Sequence, residues 1–223
     1  GQCFEYGRRA QSRDAPTQLA GQLLSLQRQR EGLGDVIEAI ESTLAQYPAL
    51  VAWHAVLPLA HMDAGQVDRA RELFETFAAD DFQSVPRDML WLTAMTVLAE
   101  ACALLGDAAR ARTLYEMLAP YAELNVQVGA ASCFGSTLRF MAELAGAMGE
   151  WETMERDFER ALELNRRWGN RPVVALTQFE YARWLRRRGR PGDDARADAL
   201  AAEAVATADE LGMPVIRRGM KSH

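Results

Sequence analysis

Five glycines, Gly32, Gly65, Gly106, Gly149 and Gly189, recur at intervals of 33, 41, 43 and 40 residues, and the residues around them keep a common register. Eight positions before each glycine stands a large apolar or aromatic residue (Leu24, Leu57, Leu98, Met141, Tyr181). A small residue follows it in four of the five units (Ser25, Ala99, Ala142, Ala182), with Pro58 the exception. After the glycine, the fifth position is apolar (Ile37, Ala70, Ala111, Met154), the ninth is aromatic in three units (Phe74, Tyr115, Phe158) and the twelfth is apolar again (Leu44, Phe77, Leu118, Ala161). In the last unit Pro191-Gly192 shifts the frame, and Ala197, Leu200 and Ala204 fall into step with Gly192 as reference. A repeat of this size is one helical hairpin that cannot cover its own apolar stripe, so neighbours must stack to bury it. Glycine turns the chain, the small residue lets two helices approach, and the aromatic ring locks one hairpin on the next.

Composition agrees with that reading. Alanine supplies 38 of 223 residues, and clusters of β-branched residues are scarce, which favours helix over strand. The fold class expected is all-α, about five hairpins in a single domain over 1–223. The stretches 79–88, 125–135 and 170–172 are read as irregular linkers. The chain opens on Gly1, and residues 1–14 read as the tail of a preceding truncated repeat, so a piece of a longer protein is expected. At the other end Leu211-Gly-Met-Pro214 is a helix stop, and the basic tail Arg217 to Lys221 is expected to fray.

The net charge is −6, divided as −8 over residues 1–150 and +2 over 151–223, which disfavours a general nucleic-acid binder. No apolar run approaches the roughly 20 residues that span a bilayer, and the N-terminus lacks signal-peptide features. A soluble, cytoplasmic protein without direct membrane contact is expected. Cys3, Cys102 and Cys133 have neither metal-knuckle nor redox-pair spacing.

Candidate chemistry is sparse. His54 and His61 lie seven residues apart, too far for a zinc pair on one helical turn, and groove polarity or packing accounts for them better. Cys133 has no neighbouring histidine or lysine to make a thiolate, and Ser136 lacks a nucleophile-elbow frame, reading instead as the start of a helix. No phosphate-binding glycine loop occurs. The expectation is no enzyme, no cofactor and no metal site.

The stretch Leu98-Ala99 to Gly106-Asp-Ala-Ala-Arg-Ala111-Arg-Thr-Leu-Tyr115 resembles the tetratricopeptide repeat. It departs from that repeat in that most units exceed about 34 residues and lack the first-helix tryptophan. Leu114 to Tyr121, Cys133-Phe-Gly-Ser136, and Phe158 to Asn165 through Tyr181-Ala-Arg-Trp-Leu185 are similar to the helical-repeat region of bacterial signalling ATPases, of LuxR-type transcriptional regulators and of adenylate-cyclase-linked regulators. The resemblance covers about 14–214 and implies a right-handed α-α superhelix that serves as a regulatory scaffold.

In such a stack the first helix of each hairpin lines a concave groove, at the positions 13, 10, 6 and 3 before the glycine. Those chosen as partner-binding residues are Met62, Thr96, Glu100, Arg139, Glu143, Phe179, Arg183 and Arg186. Arg139 and Glu143, spaced i, i+4, either face a partner or neutralise one another. The arginine run from Arg183 to Arg190 either meets an acidic partner or is paired with Glu180 and Asp193 or Asp194. The function expected is a non-catalytic scaffold that binds a protein or peptide segment, or neighbouring domains of the full-length chain. The alternative is a sensor whose groove closes over a small effector.

Overall fold

The computed structural model describes residues 15–46, 51–129 and 132–221; the expected tail of a preceding repeat, residues 1–14, lies outside them. The chain is mostly helical. Its α-helices are α1 (Ala15–Arg30), α2 (Ile37–Gln46), α3 (Val51–His54), α4 (Val56–Asp63), α5 (Val67–Ala78), α6 (Trp91–Leu105), α7 (Ala108–Leu118), α8 (Thr137–Ala147), α9 (Trp151–Arg167), α10 (Arg171–Arg188), α11 (Asp193–Leu211) and α12 (Pro214–Lys221).

Four antiparallel helix pairs carry the fold: α4 with α5, α6 with α7, α8 with α9, and α10 with α11. Each pair turns at one of the glycines of the repeat, and Gly65, Gly106, Gly149 and Gly189 all have φ between 66° and 74°, a conformation that costs other residues about 1 kcal/mol or more. The first helices also touch in succession, α4 on α6, α6 on α8 and α8 on α10.

The register positions are the core. Leu98, Ala70, Ala111, Met154, Phe158 and Ala197 are fully buried, and the Phe158 ring stacks on Tyr181 at 4.8 Å between α9 and α10. Close approach of α8 to α10 depends on Gly146, where a Cβ would stand 2.5 Å from the Trp184 ring.

Three expectations need correction. The first is the all-α class, because residues read as a loop form an antiparallel hairpin, β1 (Asn125–Val128) on β2 (Ser132–Ser136). In β1 the alternation places Val126 and Val128 in the interior and leaves Gln127 exposed, a period-2 signal too short to stand out beside long helices. Thr93 on α6 donates its hydroxyl to the Gln127 carbonyl and so fixes β1 against the helical body.

The second concerns the first unit. Gly32 turns the chain with φ 81°, yet α1 packs against β1, β2 and α12 instead of completing a hairpin chiefly with α2. Ser25 of α1 meets Ser132 of β2 at 3.0 Å. The third is the expected fraying at the C-terminus: Gly212 stops α11 in a left-handed conformation, and the following residues form α12. Met213 and Ile216 are buried there, and Arg218 pairs with Glu31 at the end of α1. Residues 187 positions apart are thus brought together.

Candidate functional site

Glu100, Glu143 and Arg183 all stand six positions before their glycines, Gly106, Gly149 and Gly189. Because α6, α8 and α10 lie side by side, equal register positions become spatial neighbours. Arg139 and Phe179, ten positions before Gly149 and Gly189, lie one turn away on the same faces.

A network of buried charge results. Arg28, from α1, pairs with Glu100. Arg139 places Nη1 2.7 Å from Glu143 Oε1 and Nη2 3.5 Å from Glu100 Oε2. Arg183 pairs with Glu180 at 2.7 Å. Aromatic rings support the guanidinium groups: Arg28 lies 4.4 Å over Phe134 of β2, and Arg139 lies 3.9 Å over Phe140. Two donor atoms, Arg28 Nη1 and Arg139 Nε, are buried without a hydrogen-bond partner among the described residues.

The same burial acts differently on the two inner glutamates. At Glu100 it opposes ionisation, but Arg28 and Arg139 outweigh it and hold the carboxyl below its ordinary range. At Glu143 burial dominates, opposed by Arg139 and reinforced by the charges of Glu100 and Glu180, and the carboxyl is pushed well above the usual range. Burial and neighbouring charge therefore shift the two carboxyls in opposite directions.

Two adjoining cavities open beside this network, of about 590 Å³ and about 530 Å³. They share Glu100, Leu104, Phe179, Glu180, Arg183 and Gly219, the last from α12. Of the residues chosen from the sequence, Glu143 and Arg186 line the first cavity, Met62 and Arg139 line the second, and Glu100, Phe179 and Arg183 line both. Thr96 is not among them. It is fully buried, and its hydroxyl lies 2.9 Å from the carbonyls of Leu92 and Thr93 in its own helix. A helical threonine can satisfy itself in this way, so its polarity was no sign of a groove position.

Sequence reasoning missed Arg28 because the register assigned its neighbour Gln29 to the groove, on the assumption that α1 opens a regular hairpin. It missed Gly219 because the tail was expected to fray. Glu180 was seen only as a partner for the arginines, although it also forms part of both cavity walls.

The arginine run is largely consumed internally. Arg188 grips Asp193 at 2.6 Å and Glu155 at 2.8 Å, Arg186 meets Asp198 at 2.8 Å, Arg190 meets Glu152 at 2.9 Å, and Arg187 lies 4.9 Å over Trp184. Hydrogen bonding to Arg188 lowers the Asp193 carboxyl from 3.8 to about 2. A depressed carboxylate adds stability above its unfolded value and loses it as pH falls through its folded one. Asp193→Asn is therefore expected to lower stability by about 1–2 kcal/mol at pH 7. In thermal melts the gap from the parent should close between pH 3.8 and about 2.

The remaining candidates are structural. His61 is buried with Nδ1 2.6 Å from Gln66 Oε1. Cys133 Sγ accepts from Asn170 Nδ2 at 3.2 Å, and Ser136 caps α8 by accepting from the Leu138 N–H at 3.3 Å. Burial pushes the Cys102 thiol up, away from thiolate chemistry. Among the described residues no group of three or more His, Cys, Asp or Glu is placed to hold a metal ion, and no helix is long and apolar enough to cross a membrane. No protein family, curated protein or solved structure was found to match this chain.

Proposed function

We propose that this chain is a non-catalytic regulatory module, a right-handed superhelix of tetratricopeptide-like hairpins that binds a small effector in its interior. The observation that carries the reading is the pair of adjoining cavities, about 590 Å³ and about 530 Å³, with charged and aromatic groups converging on them from α6, α8 and α10. Volumes of this size suit a small molecule, and a few convergent polar groups on apolar walls are how such sites fix orientation. The elements bounding the cavities include α1, with Arg28 and Glu31, and α12, with Gly219. An effector that favours one spacing of α1 and α12 changes how neighbouring domains are held, by shifting the population between arrangements. The helical-repeat regions of bacterial signalling ATPases and LuxR-type regulators, which the sequence resembles, would use such a module to control an attached output domain in the cytoplasm.

A second reading, a scaffold for a protein or peptide segment, is supported by α12 itself. This helix buries Ile216 and lays Gly219 against the Phe179 ring, so the interior already receives a helix. A segment from another protein, or from elsewhere in a longer chain, would use the same surface.

Thermal shift against a library of water-soluble metabolites tests the first reading. Bound ligand at a hundredfold excess over its Kd raises stability by about 2.7 kcal/mol, a shift of several degrees. At least one compound class should produce that shift, and Phe179→Ala should abolish it. A library that leaves the melting temperature unchanged would reject the effector reading in favour of the scaffold.

A further inference from the structure

The first cavity is graded in charge from its depth to its mouth. At its deepest point stands Glu143, whose side chain is 3% exposed, followed by Glu100 at 14% and Glu180 at 15%. Arg183 is 27% exposed and Arg186 38%, and Arg187 is exposed beside them. Among the charged side chains lining this cavity the carboxyl groups are thus the more buried and the guanidinium groups the more exposed. Between them the wall is apolar, formed by Leu104, Phe179 and Trp184.

Glu143 accepts from Arg139 through Oε1, and its side chain lines the first cavity. Arg183 gives Nη1 to Glu180, and Arg187, an exposed residue, lies over the Trp184 ring. Around the two cavities carboxyl and guanidinium groups are equal in number, so the lining presents both signs of charge to a ligand. The groups facing Glu143 are Arg139 on its own helix, Glu100 on α6, and Glu180 and Arg183 on α10. A purely anionic ligand would meet the glutamates, and a purely cationic one would have to enter past the arginines without using them.

We infer that the cavity binds a zwitterionic ligand, an apolar amino acid or a short peptide, with its ammonium group on Glu143, Glu100 and Glu180 and its carboxylate on Arg183 and Arg187. This assignment rests on the effector reading above and names the chemical class of the effector. The ammonium group hydrogen-bonds the carboxyl oxygens and is attracted to the Phe179 ring, while the carboxylate takes guanidinium donors at the mouth. Aliphatic or aromatic side chains fill the space against Leu104 and Trp184.

Isothermal titration of the whole chain with leucine, phenylalanine and leucyl-leucine, and with the N-acetyl and C-amide forms of each, tests the assignment. At least one parent compound is expected to bind, and blocking either end should weaken it at least tenfold; whether the free amino acid or the dipeptide binds tighter identifies the source. In Glu143→Gln, checked for folding by its melting curve, the penalty for N-acetylation should shrink, and the blocked series on the parent chain decides the matter alone if that variant does not fold. A blocked form that binds as tightly as its parent overturns the zwitterion assignment while leaving the effector reading intact. So does binding of other metabolites with none of these compounds bound. Silence of these compounds and of the whole metabolite library overturns both.

Discussion

Replacing Glu100 with alanine is expected to lower stability by about 3–5 kcal/mol, the penalty for leaving buried charge without its partner. Arg28 and Arg139 both direct a guanidinium nitrogen to this one carboxylate, and the Arg139 side chain is only 4% exposed. Neither arginine can recover full hydration without unpacking α1 or α8. Urea denaturation at pH 7 checks the loss, and Glu143→Gln provides the contrast. The folded-state carboxyl of Glu143 is raised, so the folded chain holds that proton more tightly than the unfolded one does. Its contribution is complete at low pH and declines as pH rises through the folded value. A neutral amide mimics the protonated acid, so Glu143→Gln should match or exceed the parent at pH 8. Equal losses in the two variants would contradict the division of charge between these glutamates.

The second large effect is expected at Phe158. The ring is fully buried, stacks on Tyr181 at 4.8 Å and lies where α9 meets α10. Phe158→Ala should cost about 3–5 kcal/mol, through lost apolar burial and the cavity left between rigid helices. Tyr115 holds the same repeat position in the preceding hairpin but is half-buried, with its hydroxyl 2.8 Å from Asp157 Oδ2. Burial and that hydrogen bond raise the phenol to about 12, so it remains a neutral donor. Tyr115→Ala is therefore expected to cost less than Phe158→Ala. The reverse order in paired melts would show that the repeat register, more than burial, sets the energetics.

The legible part of the fold was local. Four hairpin turns at Gly65, Gly106, Gly149 and Gly189 follow from spacing alone, because a left-handed residue flanked by apolar stripes has few other uses. The charged residues Glu100, Glu143 and Arg183 share a register, and side-by-side first helices turn that register into adjacency beside the first cavity. Thr96 shows the limit, since hydroxyls that satisfy themselves within a helix leave the same mark in a sequence as hydroxyls that face a ligand.

The placements of α1 and α12 were beyond such reasoning. Arg28 reaches Glu100 across 72 residues, and Arg218 reaches Glu31 across 187, with no periodicity to announce either meeting. The β1–β2 hairpin, whose Phe134 supports Arg28, was equally hidden within a stretch read as a loop.

The amino-acid pattern by itself determined the helices, their turns and the faces they bury, because each depends on residues within about one hairpin of one another. Only the tertiary structure decided that α1 and α12 meet, that a single carboxylate serves two arginines, and that space remains beside them. Those outcomes depend on how the helices pack on one another across long stretches of chain, a sum to which many interfaces contribute and which no single segment encodes.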